Sequence, residues 1–311
     1  MWVYVVRRMV WLPFLMLVAS LIVFTLGRFG PGDPVMIIMG NKYDPDSIAA
    51  KNIRHELGLD RPFHVQYSDY MWGFVRGDFG ESTRFRGQSV RDIILPKMWV
   101  SAQLALVSTV IVVFIGLPLG FFIAHRQGSW IDPTIVSLSV ILMSIPVMVT
   151  VPALLWVLCL KVDLIRCSGW GGILDLRIVV PVISSGLFAI APMLRLMRAS
   201  TLDVMGQDFV RTAYSKGLSQ AMVDYRHILK NALIPIVTVL AFSIAGLLSG
   251  SFITETIMGI PGIGRFVVES VFNRDYPVIM AVTMIGAAAF GLSTLLADLA
   301  YAFIDPRIRY R

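Results

Sequence analysis

The chain has 311 residues, of which 56% are hydrophobic and 15% are charged, and its formal net charge is +7. An ordinary soluble domain carries about a quarter of its residues as charged side chains, so this composition excludes a soluble enzyme, a disordered chain and a coiled coil. It predicts an all-α membrane protein, in which the excess Lys and Arg anchor the cytoplasmic ends of helices rather than bind nucleic acid.

Six apolar stretches are long enough, or nearly so, to cross a membrane, because a helix needs about 20 residues to span the hydrocarbon core. The first stretch is followed by Arg28-Phe29-Gly30-Pro31 and not by small residues at a cleavage site, so we expect a retained helix rather than a signal peptide. The six predicted spans are residues 9–27, 99–124, 134–160, 178–194, 231–254 and 276–297.

The distribution of Lys and Arg predicts the orientation. The side that holds both termini carries 12 Lys and Arg against 6 Asp and Glu, whereas residues 31–98 on the other side carry 9 of each. Basic residues collect on the cytoplasmic side, so both termini are expected there. The predicted parts are an N-terminal span (1–30), an extracytoplasmic segment (31–98), a core of five spans (99–305) with a cytoplasmic loop (195–230), and a cytoplasmic tail (306–311).

The predicted extracytoplasmic segment contains two helical patterns. Asp44 and Pro45 are typical of a helix start, and Gly58 followed by Pro62 is typical of its end. Apolar side chains between residues 67 and 75 indicate a second, amphipathic helix. Its surface is expected either to lie on the membrane or to receive a partner protein.

The predicted spans contain no acidic or basic side chain, whereas ion and proton pathways usually need one. The chain also has no Walker-type phosphate loop, and its four His and two Cys show no metal-ligand spacing. We therefore expect a passive conduit, without enzymatic activity or a cofactor of its own, that is driven through another subunit. The alternatives are a stand-alone secondary carrier or channel, and a membrane enzyme or scaffold.

Several prolines interrupt the spans, and each removes a backbone hydrogen bond and kinks its helix. Ser144 and Pro146 lie inside the third span, where such a break lines a pathway or is only tolerated curvature.

The long cytoplasmic loop has the pattern of a helix, a glycine and a second helix. Asp208 is predicted to cap a helix that begins at Phe209, and Gly217 fits the left-handed position after its end. This elbow is either an interfacial segment or a docking surface for a cytoplasmic partner. Its apolar stripe is predicted from Phe209, Val210 and Ala213, with Lys216 in the last turn and Ser219 capping the second helix.

This loop, with motifs along almost the whole chain, resembles the ABC importer permeases, and more narrowly the B-type permease of the oligopeptide, dipeptide and nickel class. The loop residues are Asp208-Phe-Val-Arg-Thr-Ala-Tyr-Ser-Lys-Gly217 and Arg226-His-Ile-Leu-Lys-Asn-Ala-Leu-Ile-Pro235. The further motifs are Arg7-Arg8, Pro31-Gly-Asp-Pro34, Leu57-Gly-Leu-Asp-Arg-Pro62, Gly77-Asp-Phe-Gly80, Ser144-Ile-Pro146, Glu255-Thr-Ile-Met-Gly-Ile-Pro-Gly-Ile-Gly264, Asn273-Arg-Asp-Tyr-Pro277 and Asp305-Pro-Arg-Ile-Arg-Tyr310.

The resemblance implies a type I importer permease in a bacterial or archaeal cytoplasmic membrane, surrounded by lipid. Its partners would be a homologous C-type permease, two subunits that bind ATP and Mg, and an extracytoplasmic binding protein. Peptides are the implied substrate, with nickel, glutathione or oligosaccharides as alternatives within the class. The implied coupling residues are Asp208, Phe209, Arg211, Thr212, Ala213, Lys216 and Gly217, and the candidate pathway or gate residues are Ser144, Pro146, Glu255, Pro261 and Gly262.

The sequence departs from the family pattern in three places. Arg211, Thr212 and Ala213 stand in the place of the Glu-Ala-Ala of the general loop, so only Ala213 and the later Gly217 match it, and the Arg-Thr-Ala version is typical of the peptide class. The usual loop proline is Lys230 here, so the contacts of the second half are left open. Cys159 and Cys167 also look unusual, and we interpret them as two free thiols in preference to a disulfide.

Overall fold

The structure is a computed structural model that describes residues 2–30, 33–162 and 168–304. These residues form helices and one isolated β-bridge, between Glu81 and Ser89. The first half contains α1 (Trp2–Phe29), α2 (Pro34–Met39), α3 (Ile48–Glu56), α4 (Phe63–Arg76), α5 (Val90–Ala124), α6 (Ile131–Ser144) and α7 (Val147–Leu155). The second half contains α8 (Val179–Met205), α9 (Asp208–Ser215), α10 (Gln220–Val223), α11 (Lys230–Ala232), α12 (Ile234–Ser249), α13 (Phe252–Met258), α14 (Ile263–Phe272) and α15 (Tyr276–Ile304).

Four helical stretches are long and apolar enough to cross a membrane, and a fifth span results if the bent pair α6–α7 is counted as one. The two parts of that pair meet at 90° after Ser144, so the predicted third span is broken at the Ser-Ile-Pro motif. The predicted span 231–254 is also divided, because α12 is 16 residues long and ends at Ser249, before Gly250 with its φ of 70°. The four continuous stretches are Trp11–Phe29, Val90–Ala124, Leu176–Met205 and Tyr276–Ala297.

Small residues bring α5 and α8 close together. A Cβ atom on Gly120 would lie 2.5 Å from the carbonyl oxygen of Leu194 and 2.8 Å from Cβ of Met197. Glycine at this position lets the two backbones approach, as at many helix contacts in membranes. Met197 continues into an apolar cluster with Ala232 and Ile236, so α5 and α8 form the centre of the bundle.

The helices α1 and α15 pack against each other in opposite directions. Gly27 near one end of α1 lies against Met280, and Leu12 near the other end lies against Gly291. The outward side chains of α1 are largely exposed apolar residues, such as Phe14 and Ile22, which is expected of a helix that faces lipid.

The segment between α1 and α5 contains the two predicted helices, with one correction. Ser47, and not Asp44, caps α3: its Oγ accepts the N–H of Ala50 at 3.2 Å, whereas Asp44 accepts the N–H of Asp46 in the preceding turn. The start was misplaced because Asp and Ser are both favoured N-cap residues. Which of the two caps the helix depends on where the backbone becomes helical, and the residue types alone do not show this. The predicted end is confirmed, since Gly58 has a φ of 62° directly after α3.

Asp33 holds this segment together. Burial by itself would raise the pKa of Asp33, but the N–H of Val35 and the side chains of Arg54 and Tyr43 together hold it below its ordinary value of 3.8. Arg54 also forms an ion pair with this carboxylate, so the carboxylate connects α2 with α3.

The preferred interpretation of two free thiols is wrong for Cys159, which is disulfide-bonded. Sequence spacing alone does not decide this, because a disulfide depends on how close two Cα atoms come in the fold. Cys167 and the predicted tail 306–311 lie outside the described residues.

Candidate functional site

The first candidate site is the elbow, which we define as residues 208–232. Its first helix, α9, begins at Asp208, one residue before the predicted start, because the carbonyl of Gln207 accepts the N–H groups of Val210 and Arg211. The predicted capping role of Asp208 is therefore wrong. Its carboxylate lies in the first helical turn with 98% of the side chain exposed, where a negative charge favours the helix dipole.

The end of α9 is a Schellman motif centred on Gly217. Gly217 has a φ of 77° and donates its N–H to the carbonyl of Tyr214 at 2.9 Å, while Leu218 donates to Ala213 at 3.4 Å. No atom of the described residues lies within 4 Å of the place where a Cβ would stand. Glycine is therefore favoured here by its backbone conformation and not by lack of space, as the sequence predicted. The predicted place of Lys216 in the last turn is wrong by one residue, because α9 ends at Ser215 and Lys216 is its C-cap residue.

Two of the three predicted stripe residues hold α9 in place. Val210 and Ala213 are buried against Val223 and Ile228. These two residues belong to the part of the elbow after Gly217, which we call its second arm. Phe209 is instead exposed, so its predicted place in the apolar stripe is wrong. The outward side of α9 thus carries an aromatic ring that the described residues leave exposed.

The charged residues of α9 are also free to meet a partner. Arg211 is 77% exposed, and its guanidinium lies 3.9 Å from the carboxylate of Asp208, a loose surface contact. Thr212 donates its hydroxyl to the carbonyl of Asp208 at 2.9 Å, and Lys216 is exposed. An apolar inner side and an aromatic, cationic outer side suit a rigid surface that docks into a groove.

The second arm of the elbow is tied to the inner end of α5. It runs from α10 through a π-helical stretch, Asp224–Leu229, into α11, and Ser219 stands at its N-cap without a side-chain hydrogen bond. His125, which follows the last residue of α5, places Nε2 3.1 Å from Oδ1 of Asp224. Sequence reasoning missed this pair, because the two residues are 99 positions apart and no local pattern joins them.

The second candidate site is the Glu255 loop, which we define as residues 250–264. Glu255 is fully buried, and its carboxylate accepts three hydrogen bonds. Oε1 accepts the hydroxyl of Ser101 at 2.7 Å and the N–H of Ser251 at 3.0 Å, and Oε2 accepts the N–H of Arg265 at 3.0 Å. One side chain therefore caps the start of α13 and of α14 and ties both to α5.

Gly262 is required by close approach to this carboxylate. A Cβ on Gly262 would lie 2.4 Å from Oε2 of Glu255 and 2.5 Å from Oγ of Ser101. Gly262 is the N-cap residue of α14, and the next N–H, from Ile263, is donated to Ser101 at 2.9 Å. Pro261, directly before it, is exposed.

Beside the Glu255 loop is a cavity of about 650 Å³. Its walls come from α5, α8 and α12, and among the described residues that line it Glu255 alone is acidic or basic. The exposed lining is largely apolar. Its polar groups are mainly hydroxyls, of which Ser108 and Ser243 donate to the carbonyls of Leu104 and Leu240 in their own helices.

The remaining predicted gate residues lie apart from Glu255. Ser144 donates its hydroxyl to the carbonyl of Val140 at 2.8 Å, and Pro146 is the N-cap residue of α7 at the 90° bend. Neither lines the cavity, although Val147, the next residue, does. The structure therefore joins Glu255 with Gly262 and places Ser144 and Pro146 at a separate bend.

The sequence matches two family models. Residues 116–310 match the family described as "Binding-protein-dependent transport system inner membrane component". Residues 1–85 match its N-terminal counterpart, described as "Binding-prot-dependent transport system membrane comp, N-term".

Curated relatives match over the full chain. A probable peptide ABC transporter permease protein of Sinorhizobium fredii is 35% identical and is covered 100%, as is this chain. The dipeptide transport system permease protein of Bacillus subtilis is 34% identical, with 98% of this chain and 97% of that protein covered.

A solved structure shares the fold. It is the MetNI methionine ABC transporter in inward facing conformations, with a TM-score of 0.53 and 15% sequence identity, covering 68% of this chain and 96% of that one.

Proposed function

This chain belongs to the family of binding-protein-dependent transport system inner membrane components, and we propose that it is the permease subunit of an ATP-driven importer for di- or oligopeptides. The observation that carries the proposal is the docking-type surface of α9, presented by a chain that matches peptide permeases along their full length. The chain is a multi-pass protein of the inner membrane, as the family description and its apolar helices agree.

In the proposed assembly the chain forms half of the pathway, and a homologous C-type permease forms the other half. Six membrane passes, with α6–α7 and α12–α13 as the two broken ones, place both termini and the elbow in the cytoplasm. Residues 31–98 then face the outside, where a binding protein delivers the peptide. The cavity beside the Glu255 loop supports this role, because its largely apolar lining, among the described residues, carries no charged group besides the buried Glu255 and so does not select a side-chain charge.

The chain has no catalytic role in this proposal. ATP and Mg bind to two partner subunits, which engage the outer side of α9 through Phe209, Arg211 and Tyr214. A helix held by a buried cluster moves as one piece, so closure of the ATPase pair is converted into displacement of the elbow.

The helix α5 is the proposed connection between the elbow and the Glu255 loop. The Asp224–His125 pair couples the elbow to the inner end of α5, and Ser101, near the outer end, contacts Glu255. These two points are about 36 Å apart at 1.5 Å per residue. We propose that α5 carries the motion across the membrane and that the Glu255 loop gates the outer side.

The experiment is a substitution of Gly217 in the complete transporter. Gly217→Val places a β-branched residue at a positive φ and costs about 1–2 kcal/mol, so the Schellman turn is lost and the angle between the arms changes. We expect ATP-dependent peptide uptake to fall strongly, while the subunits still assemble in the membrane.

The matched control is Gly128→Val in the turn between α5 and α6. Gly128 has a φ of 82° and open space around it, so the backbone penalty is the same, but the residue lies outside the elbow. Uptake should be retained in this control. Equal uptake by both variants and the unmodified protein would contradict the coupling role.

A further inference from the structure

The helix α4 has three distinct sides. One side packs on α1 through aromatic rings: Phe63, Tyr67 and Tyr70 all contact Phe24 at centroid distances of 5.4 to 5.5 Å. A narrow polar stripe runs along the second side at helical spacing, formed by Gln66, Asp69, Gly73 and Arg76. The third side carries Val65, Met71, Trp72 and Val75, with His64 in the first turn and Ser68 between them.

The contact of Tyr67 with α1 fixes the depth of α4. The hydroxyl of Tyr67 lies 2.7 Å from Oγ of Ser20 and donates to the carbonyl of Leu17 at 3.3 Å. Ser20 is the middle residue of the candidate span Trp11–Phe29, and at 1.5 Å per residue it lies about 14 Å from either end. A tyrosine side chain is shorter than this depth, so the backbone of α4 at Tyr67 lies within the membrane-spanning height of α1.

Two apolar side chains of the third side, Trp72 and Val75, are left exposed by the part of the chain that the structure describes, whereas Val65 and Met71 are half-buried. Trp72 is 60% exposed and Val75 is 71% exposed. The guanidinium of Arg76 lies 4.5 Å from the centre of the Trp72 ring. An exposed Trp with an Arg of the polar stripe over its ring is typical of the boundary between acyl chains and headgroups.

We propose that α4 is an interfacial helix embedded in the outer leaflet, with lipid acyl chains covering Trp72 and Val75 and headgroups meeting the stripe of Gln66, Asp69 and Arg76. This rests on the proposed placement of residues 31–98 on the outer side of the membrane. Around α4, the side that packs on α1 is followed by the apolar side and then by the polar stripe. A helix that lies flat in the interface beside α1 needs this order, because it meets α1, acyl chains and water in turn. The helix anchors the external segment, including the Asp33–Arg54 pair, to the bilayer.

A docked binding protein is the competing occupant of this side. It would approach from the aqueous phase and meet the polar stripe first, whereas Val75 lies about 100° around the helix from Arg76 of that stripe. The depth of Tyr67 along α1 also favours lipid.

The test is a depth measurement on the complete transporter in proteoliposomes without binding protein. Nitroxide labels are placed on Trp72→Cys and Val75→Cys, and relaxation by oxygen, which enriches in lipid, is compared with relaxation by a water-soluble nickel chelate. We expect oxygen to dominate at both positions. The matched control, Asp69→Cys on the polar stripe, should show the opposite preference, and unmodified protein reports any labelling of the native cysteines.

Dominant relaxation by the nickel chelate at positions 72 and 75 would overturn the proposal. So would protection that arises only when binding protein is added, which would assign this side to the protein partner. Labelling of Lys51→Cys by an impermeant maleimide from outside tests the placement of the segment separately. If that labelling occurs only from inside, the proposed orientation fails, independently of whether positions 72 and 75 contact lipid.

Discussion

The elbow and the Glu255 loop are built on opposite principles. The elbow is held by a small apolar cluster and by the dihedral angle of one glycine, and it leaves its aromatic and charged groups exposed. The Glu255 loop is held by one buried carboxylate, with three donors converging on it and a glycine required by lack of space. The elbow thus keeps aromatic and charged groups available for a contact outside the chain, whereas the Glu255 loop uses its carboxylate for hydrogen bonds within the chain.

The largest effect is expected from Glu255→Ala. The change removes the acceptor of one buried hydroxyl, on Ser101, and of two partly buried N–H groups, on Ser251 and Arg265. A buried donor left without an acceptor costs about 1–3 kcal/mol. We expect a markedly lower thermal unfolding temperature of the purified complex and a leak of small solutes through the assembly in liposomes.

The control for this prediction is Glu269→Ala, which removes a half-exposed carboxylate paired with Arg265 at 2.9 Å. Exposed pairs contribute about 0–1 kcal/mol, so this variant should remain close to the unmodified protein. If both variants unfold at the same temperature, the Glu255 loop does not depend on its carboxylate.

A smaller loss of stability is expected from Gly262→Ala. This variant tests whether Gly262 is required by lack of space, in contrast to Gly217, which is required by its backbone angle. The added methyl group overlaps Oε2 of Glu255, and overpacking of this kind costs about 1–3 kcal/mol. Gly286→Ala in α15 is the control, because none of the atoms that the structure describes lies within 4 Å of its Cβ position. Thermal unfolding should separate the two variants, and equal stability would show that the loop can move aside.

Substitutions on the buried side and on the exposed side of α9 should differ in their effects on stability and on transport. Val210→Ala removes buried apolar groups and is expected to cost about 2 kcal/mol, so it should lower both stability and uptake. Arg211→Ala removes an exposed side chain and should leave stability within about 0.5 kcal/mol, while peptide uptake falls. Uptake assays and unfolding curves on both variants test this, and a stability loss at Arg211 equal to that at Val210 would contradict a docking role for the outer side.

Local patterns in the sequence explain why the elbow was more predictable than the Glu255 loop. Gly217 after an amphipathic stretch predicts a left-handed helix end, because the requirement is set by neighbouring residues. The start of α9 was misplaced by one residue, since the carbonyl of Gln207 and not the side chain of Asp208 begins the helix. The apolar periodicity predicted Val210 and Ala213 correctly but could not tell that Phe209 faces outward.

The Glu255 network lies beyond such patterns. Ser101 and Glu255 are 154 residues apart, and a single carboxylate beyond the end of an apolar stretch looks the same whether it is buried or solvated. The same holds for His125 with Asp224 and for the depth of α4, which depends on the contact of Tyr67 with Ser20. Long-range polar pairs depend on which helices pack together, and the periodicity of one chain segment does not predict this.

The most direct test of the account is photo-crosslinking from Phe209 in the assembled transporter. A photoreactive phenylalanine analogue at this position, on the exposed side of α9, should crosslink to an ATP-binding subunit, and the same analogue at Phe114, which is 74% exposed on α5, should not. Crosslinks from position 209 to lipid alone, or the same yield of ATPase adducts from both positions, would contradict the claim that the elbow receives the force for transport.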